Sequence, residues 1–376
     1  MFKYLKYYLS TILIILAILI SSMDKHYPLL FFIAFSLFVI LGDLFLPKDL
    51  SKNKYSYPFL INLPIYLNLP LLLLYLSELI FILGNNQPSW LLYFFNNFLN
   101  IDLIYLQQNF TLLDKLAMMA NVSLFIGIIG TVPGHELTHR KKNKFDMFFG
   151  NWLLAISWDC AFAIEHVYGH HKNVGLPKDP ATAKRGENIY LFIINASIKE
   201  HLDAWKIEKS HLKRRGYSPF GINNKMIIGY IRSFIISFGA FIIGGITGTI
   251  TYFLCAIIAK ALLEAINYIE HYGLIREPDK PVEPRHSWNA NNIISSVLLY
   301  NVTRHSAHHE KSNLKFWELE PYPKSPIMPY GYLSMLYISI FLPFLFHKIM
   351  EPKLNEWDNA FATSEELKII KTISKL

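Results

Sequence analysis

Apolar residues in this chain are gathered into long runs separated by short charged stretches, and the runs have bilayer length. A helix needs about 20 mostly apolar residues to cross a hydrocarbon core. Six segments qualify: 7–23, 27–46, 58–84, 114–134, 226–247 and 249–269. The pattern predicts an all-α integral membrane protein of about six transmembrane helices, organised as a single membrane-embedded domain over 1–376. Two further apolar runs do not fit a simple crossing. Residues 145–164, "FDMFFGNWLLAISWDCAFAI", lie between polar motifs that must share one side, which predicts a re-entrant or interfacial helix. Residues 327–349 contain Pro343 and interface-suited aromatic side chains, and are expected to form an interfacial helix. Segments 135–225 and 270–326 carry the candidate chemistry.

Composition supports the membrane reading. Hydrophobic residues make up 52% of the chain and charged residues 17%, which excludes an ordinary soluble enzyme. The first run follows Lys3 and Lys6, but it has no small-residue cleavage site and is expected to remain as a helix. The two cysteines, Cys160 and Cys255, are too few for a disulfide framework or an iron–sulfur carrier motif.

Charge sets the expected orientation. Lys and Arg collect in 1–6, 47–57 and 135–225, whereas 85–113 contains neither. Basic residues accumulate on the cytoplasmic side, so the N-terminus and segment 135–225 are expected inside and 85–113 outside. The net charge of +8 reflects this topology and is no footprint for nucleic acid.

The chemistry candidates are histidines. Nine of the fourteen fall into four groups: His135 and His139 in "HELTH"; His166, His170 and His171 in "EHVYGHH"; His271 in "NYIEHYGL"; and His305, His308 and His309 in "RHSAHH". His26, His201, His211, His286 and His347 read as ordinary polar residues. Side chains three or four positions apart share a helix face, so each cluster should point its imidazoles one way. Crowding imidazoles beside membrane helices costs desolvation, and a bound metal supplies the return. "HELTH" alone matches the zinc-protease pattern H-E-x-x-H. A catalytic zinc takes three protein ligands, however, and nine histidines suit two ions with an open position on each, which favours oxygen chemistry over hydrolysis. Glu136, Glu165 and Glu270 adjoin ligand candidates and are expected to support them by accepting ring N–H groups.

These motifs, in this order, resemble those of the integral-membrane alkane 1-monooxygenases (alkane ω-hydroxylases), within the membrane fatty acid desaturase/hydroxylase superfamily. "KDPATAKRGENIY", "MPYGYLSM", "KIMEPKL" and "LGDLFLP" extend the resemblance over about residues 30–355, and "NYIEHYGL" narrows it to alkane and xylene monooxygenase-like members. The family commonly carries an acid in its last histidine box where this chain has Ala307; Arg304 and the histidines are kept.

The resemblance implies a cytoplasmic non-haem di-iron site held by His135, His139, His166, His170, His171, His271, His305, His308 and His309. It further implies O2-dependent hydroxylation of the terminal methyl of medium- or long-chain n-alkanes to primary alcohols. Electrons would come from rubredoxin and its NAD(P)H-dependent reductase, and the protein would sit in the bacterial inner membrane with its active site on the cytoplasmic side. An unactivated C–H bond offers no handle for side-chain acid–base chemistry, so a redox cofactor must do the work. Arg140, Lys141, Lys142, Lys213, Arg214 and Arg215 offer a basic surface for an acidic carrier, or serve as topology determinants. The competing readings are an aromatic-methyl (xylene-type) monooxygenase, a fatty acyl desaturase or decarboxylase, and a non-enzymatic metal transport or storage protein.

Overall fold

A computed structural model describes residues 2–373, and among these the chain is helical throughout, with two isolated bridges, Lys48 to Asn292 and Asn289 to Ile327. Five helices are long and apolar enough to cross a membrane: Lys3–Ser21, Tyr27–Phe45, Pro58–Leu83, Leu112–His139 and Lys225–His271.

The last of these has 47 residues. A straight helix of that length would run about 70 Å, more than twice a hydrocarbon core of about 30 Å. Gly245 breaks it, with φ 63° and ψ −154°, a conformation open essentially to glycine. The two arms then fold back on each other. Ser233 on the first arm and Tyr252 on the second both donate to the Ala155 carbonyl, at 3.1 and 3.3 Å. Trp158 likewise packs against Phe234 and Phe253, with ring centroids 5.0 and 5.5 Å away. Counted as two arms, the hairpin raises the helices of crossing length among the described residues to about six. Its tip meets the end of the third helix so closely that a Cβ on Gly84 would lie 2.3 Å from the Gly244 backbone.

Leu112–His139 has 28 residues, about 42 Å of helix. Its last turns therefore project beyond the hydrocarbon and carry His135 and His139 with them. A wide π turn over Ile126–Thr131 precedes this end. Pro133, which has no N–H to donate, lies just beyond that turn.

The remaining apolar segments form helices shorter or less continuously apolar than these five. Lys144–Ile156 is 13 residues, about 20 Å, and the chain reverses at Trp158 with φ 56°. In place of one helix over 327–349 there are two, Tyr332–Phe341 and Pro343–Ala360, because Pro343 cannot continue the hydrogen-bond ladder. The first packs Tyr332, Leu333, Met335 and Leu336 inward. Asp43, near the end of the second long helix, is not a solvent-facing side chain. It is 4% exposed and accepts from Ser295 N, Ser295 Oγ and Ser334 Oγ at 3.0, 2.6 and 2.9 Å. An anion at the first turn of Ile293–Leu298 satisfies amides that the helix itself cannot.

Candidate metal centre

The four histidine groups reach one place from four directions. His135 and His139 end the fourth long helix, and His271 ends the second arm of the hairpin. His166–His171 belong to a short irregular helix, and His305–Glu310 forms another. Seven of the nine imidazoles are buried and the other two, His139 and His171, are partly so.

They sort into two sets, each with its ligating nitrogens within 4.8 Å of one another: His135, His139, His166, His171 and His308; and His170, His271, His305 and His309. The sequence boxes do not follow this division. His308 leaves His305 and His309 for the first set, and His170 leaves its neighbours for the second. His166 and His171 are five residues apart, a spacing that an α-helix sends to different faces. The backbone over His166–His170 is a π turn with five-residue hydrogen bonding, and this brings the two rings to 3.0 Å between Nε2 atoms. The expectation that each cluster aims all its rings together is therefore corrected: both triplets divide two to one.

Within the sets the nitrogens face one another as Nε2. Separations are 2.9 Å for His135–His139 and His305–His309, and 3.1 Å for His135–His308 and His271–His305. Ligands at about 2.1 Å from a shared ion lie about 3 Å apart along the edge of its coordination shell, so the donor set fits a metal. The tautomers support that fit. His170 Nδ1 faces Asp179 Oδ2 at 3.0 Å, and His271 Nδ1 faces the His286 carbonyl at 3.1 Å. With their N–H committed outward, both rings turn bare lone pairs inward, an arrangement that is repulsive until a cation lies between them. Burial, followed by neighbouring imidazoles, pushes His166, His171, His305 and His309 well below the usual histidine range, and His308 down to about 3. The neutral form is the one that binds metal.

The three glutamates behave differently from the sequence expectation. Glu136 contacts no histidine; its Oε1 accepts from Arg140 at 2.7 Å and from the Phe316 amide at 3.2 Å. An arginine one turn away outcompetes imidazole for that carboxylate. Glu165 folds over Gly169, where a Cβ would meet it at 2.1 Å, and likewise receives no ring N–H. Glu270 does reach a histidine, with Oε2 3.3 Å from His305 Nε2, but on the inward nitrogen. It therefore lies beside the inward nitrogen of the second set rather than behind a ligand, and it is not one of that set's four mutually close donors. The supporting carboxylate that sequence reasoning missed is Asp179, in the "KDPATAKRG" loop. Although burial opposes it, the adjoining His170 ring and the hydrogen bond from Thr182 hold its carboxyl below the usual range. Arg140 also leaves the basic surface: its guanidinium is buried between Glu136, Asp146 and Asn62. Lys141, Lys142, Lys213, Arg214 and Arg215 remain exposed.

Comparison with known proteins agrees with this architecture. The fatty acid desaturase family model matches residues 115–339. The chain is 33% identical over 261 residues to alkane 1-monooxygenase 2 of Alcanivorax borkumensis, covering 68% of this chain and 67% of that protein. It is 32% identical over 343 residues to the xylene/toluene monooxygenase hydroxylase component XylM of Pseudomonas putida, covering 89% and 84%. Alkane 1-monooxygenase of Ectopseudomonas oleovorans is 34% identical over 246 residues, 63% and 60% of the two chains. With the polyhistidine centre and the multi-pass helical fold, these similarities make the chain a membrane monooxygenase that belongs to the fatty acid desaturase family, in its alkane 1-monooxygenase group.

Proposed function

We propose that the two histidine sets hold two irons and that the protein hydroxylates the terminal methyl of a medium- or long-chain n-alkane to the primary alcohol. His135, His139, His166, His171 and His308 would hold one iron. His170, His271, His305 and His309, with Glu270 beside them, would hold the other. The observation that carries this reading is the pair of adjacent, buried, all-imidazole cages. Bound iron supplies the capacity to activate O2, which no side chain possesses. The chain itself disfavours charge by burial on His166, His171, His305, His308 and His309, and it orients His170 and His271 through Asp179 and the His286 carbonyl. The substrate is concentrated in lipid, and the bundle that bears the cages is apolar.

The orientation proposed is cytoplasmic for both cages. Six crossings from an inside N-terminus return His139 and His271 to the inner face, the side to which the Lys and Arg distribution points. A reporter fused after Asn100 should read as periplasmic and one after Arg215 as cytoplasmic; the reverse would invalidate the assigned side. Electrons would arrive from rubredoxin and its NAD(P)H-dependent reductase, docking on the exposed Lys141, Lys142, Lys213, Arg214 and Arg215. Such steering should weaken as ionic strength rises.

A second reading, hydroxylation of an aromatic methyl group, is favoured by the extent of the similarity to XylM, which spans more of the chain than the alkane enzymes above. One experiment separates the two. Membranes containing the protein, with rubredoxin, its reductase and NAD(P)H, should convert an n-alkane to its 1-alcohol with one oxygen atom from ¹⁸O2. Turnover of aromatic methyl groups alone would establish the second reading, and exclusive alkene formation would overturn both.

A further inference from the structure

Lys260 interrupts the apolar second arm of the hairpin and is surrounded by acids. Its Nζ lies 2.9 Å from Asp159 Oδ2 and 2.9 Å from Glu200 Oε2, and it pairs with Glu264 one turn along. The three carboxylates are 2%, 2% and 0% exposed. Asn267 continues the series, donating to Glu264 Oε2 at 3.1 Å and reaching Glu200 Oε1 at 3.5 Å.

Positions 260, 264, 267 and 271 are spaced by four, three and four residues, so they share one face of the arm. The lysine, the carboxyl, the amide and His271 thus form a polar stripe about 16 Å long that ends at the second histidine set. Its other end opens into a cleft of about 380 Å³, floored by Ser157, Asp159, Ser197, His201 and Lys260. The cleft rim carries Ile194, Ile198 and Ile257, which are 56%, 56% and 64% exposed. The cleft thus brings exposed apolar side chains beside the polar end of the stripe.

Holding the Ile189–Arg214 helix against the hairpin would need one lysine and one acid. Three buried acids on a single lysine leave excess negative charge unless the set retains protons. Burial raises the carboxyls of Asp159 and Glu200 above their usual range, in keeping with retained protons. Ionisable groups buried in membrane helices characteristically serve such relays.

We propose that this stripe conducts protons from the lateral cleft to the metal centre. The inference rests on the monooxygenase reading, in which R–CH3 + O2 + 2 e⁻ + 2 H⁺ gives R–CH2OH + H2O, with electrons from a reduced one-electron carrier protein. Two protons must reach a centre whose second histidine set is buried in all four imidazoles. In each transfer an N–H bond of Lys260 breaks and an O–H bond forms on Glu264. Lys260 recovers its proton from Asp159, Glu200 or water in the cleft. Glu264 releases its own to water beside Asn267, and that water carries it the remaining helical turn, about 5.4 Å, to the second histidine set. His271 itself takes no proton, because its Nδ1 faces the His286 carbonyl and its Nε2 faces the set.

The test is Glu264→Gln in the full-length, metal-loaded protein in membranes. Glutamine keeps the shape and the bond from Asn267 but carries no transferable proton. Metal content and KM should be unchanged, while kcat should fall by at least about ten-fold. The solvent deuterium isotope effect should increase, and electrons should divert to hydrogen peroxide. Glu264→Asp should recover part of the lost coupling. Unchanged kcat and coupling, or a loss of metal with coupling intact, would overturn the proposal. A second readout uses the unaltered protein in membranes: its infrared spectrum should contain a protonated-carboxyl C=O band that shifts promptly in D2O. That band should be lost in Asp159→Asn or Glu200→Gln, which separates it from the other buried acids, Glu78, Glu165 and Glu270. No such band, or one that never exchanges, would equally overturn it. Failure of the unaltered membranes to hydroxylate any methyl substrate would instead overturn the function reading, and the infrared result would then decide the stripe alone.

Discussion

His271→Ala should bind about one iron where the unaltered chain binds two, and should lose more than about 100-fold of its hydroxylase activity. The lower bound follows because even partners behind the ligands contribute roughly 10–100-fold. His271 is the one histidine that the second arm of the hairpin contributes to the cages, and its Nε2 lies 3.1 Å from that of His305. Removing it takes one of four imidazoles from the second set and leaves the first set's five untouched. His139→Ala should do the converse, removing one donor from the five-membered set. Elemental analysis of the purified variants, together with the alcohol-forming assay, checks both. One equivalent of zinc in the unaltered protein, with activity intact, would defeat the two-iron assignment.

What the sequence disclosed and what it withheld divide along physical lines. Hydropathy marks 226–247 and 249–269 as separate crossings, and the structure joins them through Gly245 into one hairpin. Run length is a local property, and the residue that turns the chain is a glycine in a stretch rich in glycines. The nine histidines were legible because their boxes are dense and repeated. Their division was not, because it depends on a π turn at His166–His170 whose i→i+5 hydrogen bonding breaks the 3.6-residue periodicity. The glutamates misled for a related reason. Adjacency in sequence said nothing of Arg140, which takes Glu136, or of the direction in which Glu270 points. Asp179 lies nine positions beyond His170 in a loop, and no spacing rule connects a loop carboxylate to a helical imidazole. Lys260 and its three acids come from three separate segments, and only folding assembles them.

Asp179→Asn should weaken metal binding by the second histidine set roughly 10–100-fold, with activity falling in parallel. The carboxylate faces His170 Nδ1 at 3.0 Å and is itself held by Thr182 Oγ1 at 2.6 Å and the Ala181 amide at 3.3 Å. It fixes the tautomer that turns the His170 lone pair inward, and its negative charge raises the donor strength of the ring. Asparagine can keep one accepting oxygen for His170 and Thr182, but it loses the charge, and its amide group cannot accept from the Ala181 amide as the other carboxylate oxygen does. Asp179→Ala, which removes the acceptor altogether, should be worse than Asp179→Asn. Glu136→Gln is the informative contrast, since Glu136 adjoins a ligand candidate in sequence while contacting Arg140 in space. That change should lower stability by roughly 1–3 kcal/mol, the cost of leaving a buried charged partner poorly satisfied, with metal content unchanged. Metal titration and thermal unfolding of the three variants check the pair of expectations. Equal metal loss in Asp179→Asn and Glu136→Gln would mean that both act only through the fold, and the role given to Asp179 would fall.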